Sequence, residues 1–220
     1  MFKHETQVIK FLLHWYSINA RKLPWRKKNN LNLPHPYFVF VSEYMLQQTT
    51  VNTVKNKFND FILKWPSLNK LAQTSEPNIL KFWSGLGYYS RARNLLKSAK
   101  IIHKNFKNNI PQTYDELIQL PGIGDYTAKA ILGIGYNKSV MPLDANIERI
   151  LVRLHAIDKP INKVKNKLKD LGKKFISDKY SSNLIQSFMD YGSEICLPRN
   201  PKCTICGINK FCQSYKKNLQ

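Results

Sequence analysis

Leu120-Pro121-Gly122-Ile123-Gly124-Asp125-Tyr126-Thr127-Ala128 reads as the end of one helix, a turn bracketed by two glycines, and the immediate start of another. Pro121 and Gly122 stop the first helix, and helical spacing resumes after Asp125. Glycine at positions 122 and 124 lets a ligand approach the main chain closely. The helix start behind the turn aims backbone N–H groups outward, so the segment has the chemistry to grip a phosphate without reading a base. The same residues also fit a plain helical corner, and taken alone they do not separate the two.

Outward from this turn the chain keeps the helical period. Apolar residues recur as Val8, Ile9, Leu12, Leu13, Trp15 and Tyr16, as Val54, Phe58, Phe61 and Ile62, and as Leu95, Leu96, Ala99, Ile101 and Ile102. That spacing predicts an all-α fold. Stops fall where Pro, Gly and Asn gather, at Leu33-Pro34-His35-Pro36, Trp65-Pro66-Ser67, Asn108-Asn109-Ile110-Pro111 and Pro121-Gly122, and no strand-like alternation lies between them. Lys163 to Lys174 reads as a basic amphipathic helix with a solvated face.

The chain has 220 residues, 43% of them hydrophobic, enough to bury a sizeable core in one large domain or two small lobes. Thirty-five Lys and Arg against 14 Asp and Glu leave a net charge of +21, spread along the chain. Such a surface attracts a polyanion, nucleic acid first, because each neutralised phosphate releases counterions. A lysine-rich, AT-biased coding sequence is the plainer source of the same charge. No apolar run is long enough for a membrane span, and Met1-Phe2-Lys3-His4-Glu5 does not resemble a signal peptide, so a reducing cytosol is the expected compartment and no membrane partner is expected.

All four cysteines fall in one short segment, as Cys196-x6-Cys203-x2-Cys206-x5-Cys212. Four thiolates at short intervals can wrap one metal centre. The unequal loops favour an iron–sulfur cluster over structural zinc, and a reducing compartment leaves disulfides third. Upstream, Asp144 precedes the apolar series Ile147, Ile150, Leu151 and Leu154, where a helix N-cap belongs. A capping carboxylate is the commonest reason for Asp there, and a carboxylate held at a helix start is also placed to face a developing cation. The sequence leaves both open.

In this order and spacing the segments resemble the helix-hairpin-helix DNA glycosylase superfamily, whose endonuclease III branch carries a four-cysteine [4Fe-4S] loop. The resemblance spans nearly the whole chain. Leu23-Pro24-Trp25-Arg26, Val41-Ser42-Glu43-Tyr44-Met45-Leu46-Gln47-Gln48-Thr49 and Gly85-Leu86-Gly87-Tyr88-Tyr89-Ser90-Arg91-Ala92-Arg93 look like the MutY-type adenine glycosylases. The resemblance implies two helical lobes, residues 21–134 with Glu43 and the hairpin, and residues 1–20 plus 135–220 with Asp144 and the cluster cysteines 196, 203, 206 and 212. It also implies a monomer that acts on double-stranded DNA containing an adenine mispair.

By the same resemblance Glu43 protonates adenine at N7 and later handles water, while Asp144 stabilises or transiently captures the oxocarbenium-like sugar. Glu43 lies among Phe38, Val39, Phe40, Val41, Tyr44, Met45 and Leu46, and desolvation there is expected to raise its pKa. Tyr126 and Asn146 match positions that flank the sugar cation and the departing base. Endonuclease III relatives carry a lysine nucleophile where this chain has Tyr126, so base release without strand cleavage is expected. Gln48 and Tyr88 match residues driven into the duplex beside the flipped nucleotide. Arg26 matches an adenine-pocket arginine. Gln186 matches a polar contact to adenine, with a surface glutamine as the other reading. Gly122, Gly124 and Arg91 count among the DNA-binding residues, with Arg149, Arg199, Lys202 and Lys210 as phosphate contacts.

Two departures qualify the match. Adenine glycosylases usually continue into a second domain that helps recognise 8-oxoguanine, whereas this sequence stops eight residues after Cys212. The opposite base is then read less strictly, by the catalytic lobes alone, or by another protein. Asp125 is an acid where relatives commonly have a basic or neutral residue. A T·G-mismatch thymine glycosylase of the same superfamily, and a DNA-binding iron–sulfur module without activity, remain the alternatives.

Overall fold

The structure is a computed structural model that describes residues 3–219. In chain order its α-helices are α1 (Lys3–Asn19), α2 (Pro36–Leu46), α3 (Val51–Lys64), α4 (Leu68–Ala72), α5 (Glu76–Trp83), α6 (Ser90–Asn105), α7 (Tyr114–Ile118), α8 (Asp125–Ala130), α9 (Ala145–Leu154), α10 (Lys165–Lys173), α11 (Ser181–Glu194) and α12 (Gln213–Lys216). Among the described residues there is no strand, only an isolated antiparallel bridge between Lys28 and Pro34. The fold is all-α, as the periodicity predicts. Among the described residues no helix is long and apolar enough to cross a membrane.

Local sequence explains where helices begin. Thr50, Ser67 and Thr113 each accept a backbone N–H from three residues ahead, opening α3, α4 and α7. Pro36 occupies the first turn of α2, and His35 Nδ1 accepts the Tyr37 N–H at 3.2 Å. Burial lowers the His35 pKa, which keeps the ring neutral for that role.

Contacts divide the chain into two compact units. One is Lys22–Tyr136. Eight of the eleven residues of α2 are buried, so this helix forms the unit's axis rather than one of its faces. Phe40 and Tyr44 of α2, Phe58 and Phe61 of α3 and Trp83 of α5 are fully buried. Edge-to-face contacts join Trp25 to Phe58, Phe38 to Phe58 and Trp65 to Phe82. α8 runs directly into a π-helical turn, Ile131–Gly135. A Cβ on Gly135 would lie 3.3 Å from Pro36 Cα, so glycine permits the close approach to the start of α2.

The other unit joins the segment ending at Arg21 to the segment beginning at Asn137. α1 packs along α11, and α9 packs on α11 as well. Tyr191 receives the edges of Phe11 and Trp15 at 5.9 and 5.1 Å. Asp190 is wholly buried and accepts both the Arg21 N–H (3.0 Å) and Arg21 Nε (2.5 Å), which ties the end of α1 to α11. On α10, Leu168 and Leu171 face inward and the lysines face solvent, the arrangement expected of a solvated basic helix.

Arg21→Met removes the cation beside a buried carboxylate. We expect it to destabilise the chain by about 3–5 kcal/mol, read from urea unfolding.

Candidate active site

Glu43 lies on the last turns of α2 and is 6% exposed, buried with most of that helix. The chain then turns through Gln47-Gln48-Thr49. A second loop, Ser84 to Tyr89, approaches the same helix end. Gln48 (φ +55°) and Tyr88 (φ +46°) both adopt left-handed backbone, which residues with a Cβ rarely do. Both side chains are exposed, Tyr88 by 62%.

Arg91, in the first turn of α6, sits beneath these loops and is 5% exposed. Its Nη1 donates to the carbonyls of Tyr44 (3.2 Å), Met45 (2.6 Å) and Gln47. Its Nη2 donates to Thr49 Oγ1 (2.9 Å), Leu86 O (2.7 Å) and Gly87 O (3.1 Å).

The glycine hairpin lies between α7 and α8 in the same unit. Gly122 has φ +80°, and a Cβ there would meet Asn94 Nδ2 at 2.9 Å and Tyr44 Cε1 at 3.1 Å, so glycine is required twice over. Pro121 O accepts from Tyr44 Oη (2.5 Å) and Ser98 Oγ (3.1 Å), and Gly122 O accepts from Gln47 Nε2 (3.1 Å). The hairpin's carbonyls are thereby held inward on α2 and α6, while Gly122 and Gly124 are exposed. Tyr126, in the first turn of α8, and Arg26, in the short 3-10 turn Pro24–Arg26, are half-buried. Asp125 accepts from Tyr114 Oη (3.0 Å) and pairs with Lys129 (2.8 Å), so its charge is locally offset.

In the other unit Asp144 is the N-cap of α9. Its Oδ1 accepts the Ile147 N–H (2.7 Å) and its Oδ2 accepts Asn146 Nδ2 (2.9 Å). Asn146 Oδ1 in turn accepts Arg149 Nη2 (2.8 Å), which also donates to Gly192 O (2.7 Å). Arg149 Nε donates to Cys196 O (2.7 Å). A hydrogen-bonded chain therefore runs from the Asp144 carboxylate to the main chain of the first cysteine. Gln186 is 2% exposed; its Nε2 donates to Ser182 O and Oγ, and its buried Oε1 has no partner in the protein.

The four cysteines are free thiols, half-buried, and line one cavity with Ile150, Leu154, Ile195 and Ile208. Arg153 Nη1 lies 3.4 Å from Cys196 Sγ, and Tyr191 Oη donates to Cys206 Sγ at 3.3 Å. Burial pushes up the pKa of Cys203, Cys206 and Cys212, and the other thiolates add to the rise. Four thiolates here need a cationic centre. Among the described residues no group of three or more His, Cys, Asp or Glu is placed to hold a metal ion.

A family model described as HhH-GPD superfamily base excision DNA repair protein matches residues 41–174, a span that includes Glu43, both loops, the hairpin and Asp144. The chain belongs to that superfamily. It is 44% identical over 209 residues to an adenine DNA glycosylase of Buchnera aphidicola subsp. Baizongia pistaciae, covering 94% of this chain and 58% of the relative. It is 35% identical over 226 residues to the Homo sapiens adenine DNA glycosylase, covering 99% of this chain and 41% of the relative. The chain thus spans about half the length of these relatives. Among solved structures, a thermostable thymine-DNA glycosylase superposes with a TM-score of 0.87 at 26% identity, covering 98% of both chains.

Three of the side chains singled out in the sequence are engaged or buried within their own units. Arg91 is enclosed, its terminal nitrogens taken by carbonyls and a hydroxyl inside the unit. The Arg149 guanidinium is engaged by Ala145, Asn146, Gly192 and Cys196. Gln186 is packed within α11's buried face, which removes the alternative reading of a surface glutamine. Arg199, Lys202 and Lys210 are exposed around the cysteine loop. Sequence reading passed over Arg153, Tyr191 and Thr49. The only available signal was the one-turn spacing of Arg149 and Arg153, which puts both on one face of α9.

A Cβ on Gly192 would lie 2.6 Å from Asn146 Cβ. Gly192→Ala should therefore push Asn146 off Asp144 and destabilise the chain by about 1–3 kcal/mol in thermal unfolding.

Proposed function

We propose that this chain is an adenine DNA glycosylase that hydrolyses the N-glycosidic bond of adenine mispaired with 8-oxoguanine or guanine in duplex DNA, leaving an abasic site. The observation that carries this reading is the identity with adenine glycosylases over nearly the whole chain. It is supported by Tyr126 at the hairpin position, which offers no amine for a Schiff base. By resemblance Gln186, whose buried Oε1 has no protein partner, is the polar contact to adenine.

In the reaction, Glu43 delivers a proton to adenine N7 as the C1′–N9 bond breaks and its electron pair leaves with the base. Asp144 faces the cationic sugar, its orientation fixed by the Ile147 N–H and Asn146. Water then adds at C1′ and its proton returns to Glu43. Gln48 and Tyr88 fill the space beside the extruded nucleotide, Arg26 and Asn146 border the base and sugar, and the exposed Gly122 and Gly124 amides grip a phosphate. Cys196, Cys203, Cys206 and Cys212 would hold a [4Fe-4S] cluster, which supplies a rigid centre for the loop that presents Arg199, Lys202 and Lys210 to the DNA backbone. The chain acts as a monomer in the cytoplasm, associated with the nucleoid. Thymine removal from T·G mismatches is the second reading, favoured by the superposition on a thymine-DNA glycosylase.

Single-turnover reactions on duplexes containing A·8-oxoguanine, A·G, T·G and A·T, with and without alkali, test the assignment. Alkali-dependent adenine release from the first two is expected, and thymine release instead would transfer the chain to the mismatch thymine enzymes. Glu43→Gln and Asp144→Asn should each slow base release by about a thousandfold while duplex affinity holds. Cys203→Ser should lose iron and acid-labile sulfide and give an unstable protein.

A further inference from the structure

We propose that Arg91 is a positioning residue that fuses the Gln48 loop and the Tyr88 loop into one rigid wedge, so that both side chains enter a duplex as a single body. The proposal rests on the DNA-repair reading above and assigns work to a residue that touches no substrate.

The two loops are distant in sequence, yet one guanidinium serves both. Nη1 holds the end of α2 through Tyr44, Met45 and Gln47, and Nη2 holds Thr49 Oγ1 together with Leu86 O and Gly87 O. Thr49 Oγ1 passes its own proton to Leu86 O at 3.3 Å, closing a direct bridge between the loops. The guanidinium also lies over the rings of Trp83 and Tyr88, at 5.6 and 5.7 Å. From the far side Lys57 Nζ donates to Phe82 O (3.1 Å) and to Ser84 O.

Gln48 sits between two acceptors of this guanidinium, Gln47 O and Thr49 Oγ1, and Tyr88 directly follows a third, Gly87 O. Both are the residues with left-handed backbone, and such conformations persist only where the surroundings over-determine them. Releasing Arg91 therefore frees both at once. A lysine cannot substitute, because one ammonium has neither the reach nor the planar fork to satisfy two sets of carbonyls. Two inserting side chains fixed to one scaffold lose little freedom on entering the base stack, which is where a wedge gains over two independent fingers.

The test uses Arg91→Lys, with Thr49→Val as a second variant that removes only the bridge. Amide hydrogen exchange of the free protein should show residues 47–50 and 84–89 losing protection together in both variants, with the remaining helices unchanged. On duplexes carrying 2-aminopurine at the target position, Gln48→Ala and Tyr88→Ala should act non-additively in the wild-type background and additively with Arg91→Lys. Extrusion and base release should fall by about tenfold or more while duplex affinity stays within about twofold. Loosening of one loop alone, loosening of the whole chain, or coupling that survives in Arg91→Lys would each overturn the proposal. Wild-type protein that neither extrudes 2-aminopurine nor releases a base from any of the four duplexes would bring down the functional reading, and the wedge with it. An active enzyme whose loops stay coupled overturns the wedge alone.

Discussion

The unit Lys22–Tyr136 depends on how the C-terminal end of α2 is satisfied. The last carbonyls of a helix have no intrahelical donors, and here a buried guanidinium from α6 supplies them. A cation also suits the negative end of the helix dipole. From that anchorage the rest follows outward: Arg91 pins both loops, Gln47 Nε2 reaches Gly122 O, and Tyr44 Oη reaches Pro121 O. The end of α2, the two loops and the glycine hairpin are consequently parts of one hydrogen-bonded assembly.

In the other unit, capping and chemistry are compatible duties of one carboxylate. Asp144 uses one oxygen to open α9 and the other to hold Asn146, so its plane is set from two directions. Arg149 extends this order to Gly192 and Cys196. Disorder in the cysteine loop would therefore be felt at Asp144 through two side chains, Arg149 and Asn146.

Much of this was legible in the sequence, for reasons that are local. Helical periodicity, the Gly122 turn, the Asp144 cap and the crowded cysteines all depend on residues close together in the chain. The arginines were not legible. In a chain of net charge +21, an arginine reads as a phosphate ligand; whether Arg91 is instead enclosed depends on carbonyls at 44–47 and 86–87, which only the folded backbone brings together. Gln186 shows the same limit, since its polarity is visible in sequence and its burial, which removes the surface reading, is not. Gln48 and Tyr88 carry left-handed backbone without being glycine or asparagine, so nothing in their identity announces it.

The packing of α1 on α11 has a bearing on synthesis. Val8, Ile9 and Leu12 are buried in the finished unit, and Phe11 and Trp15 close on Tyr191. A ribosome adding about 5–20 residues per second needs on the order of ten seconds or more between making α1 and releasing α11. Throughout that interval the Lys22–Tyr136 unit can fold as it emerges, while the apolar stripe of α1 has nothing of its own to cover it. The apolar stripe of α1 therefore stays uncovered on the nascent chain until α11 emerges, and the cysteine loop closes last.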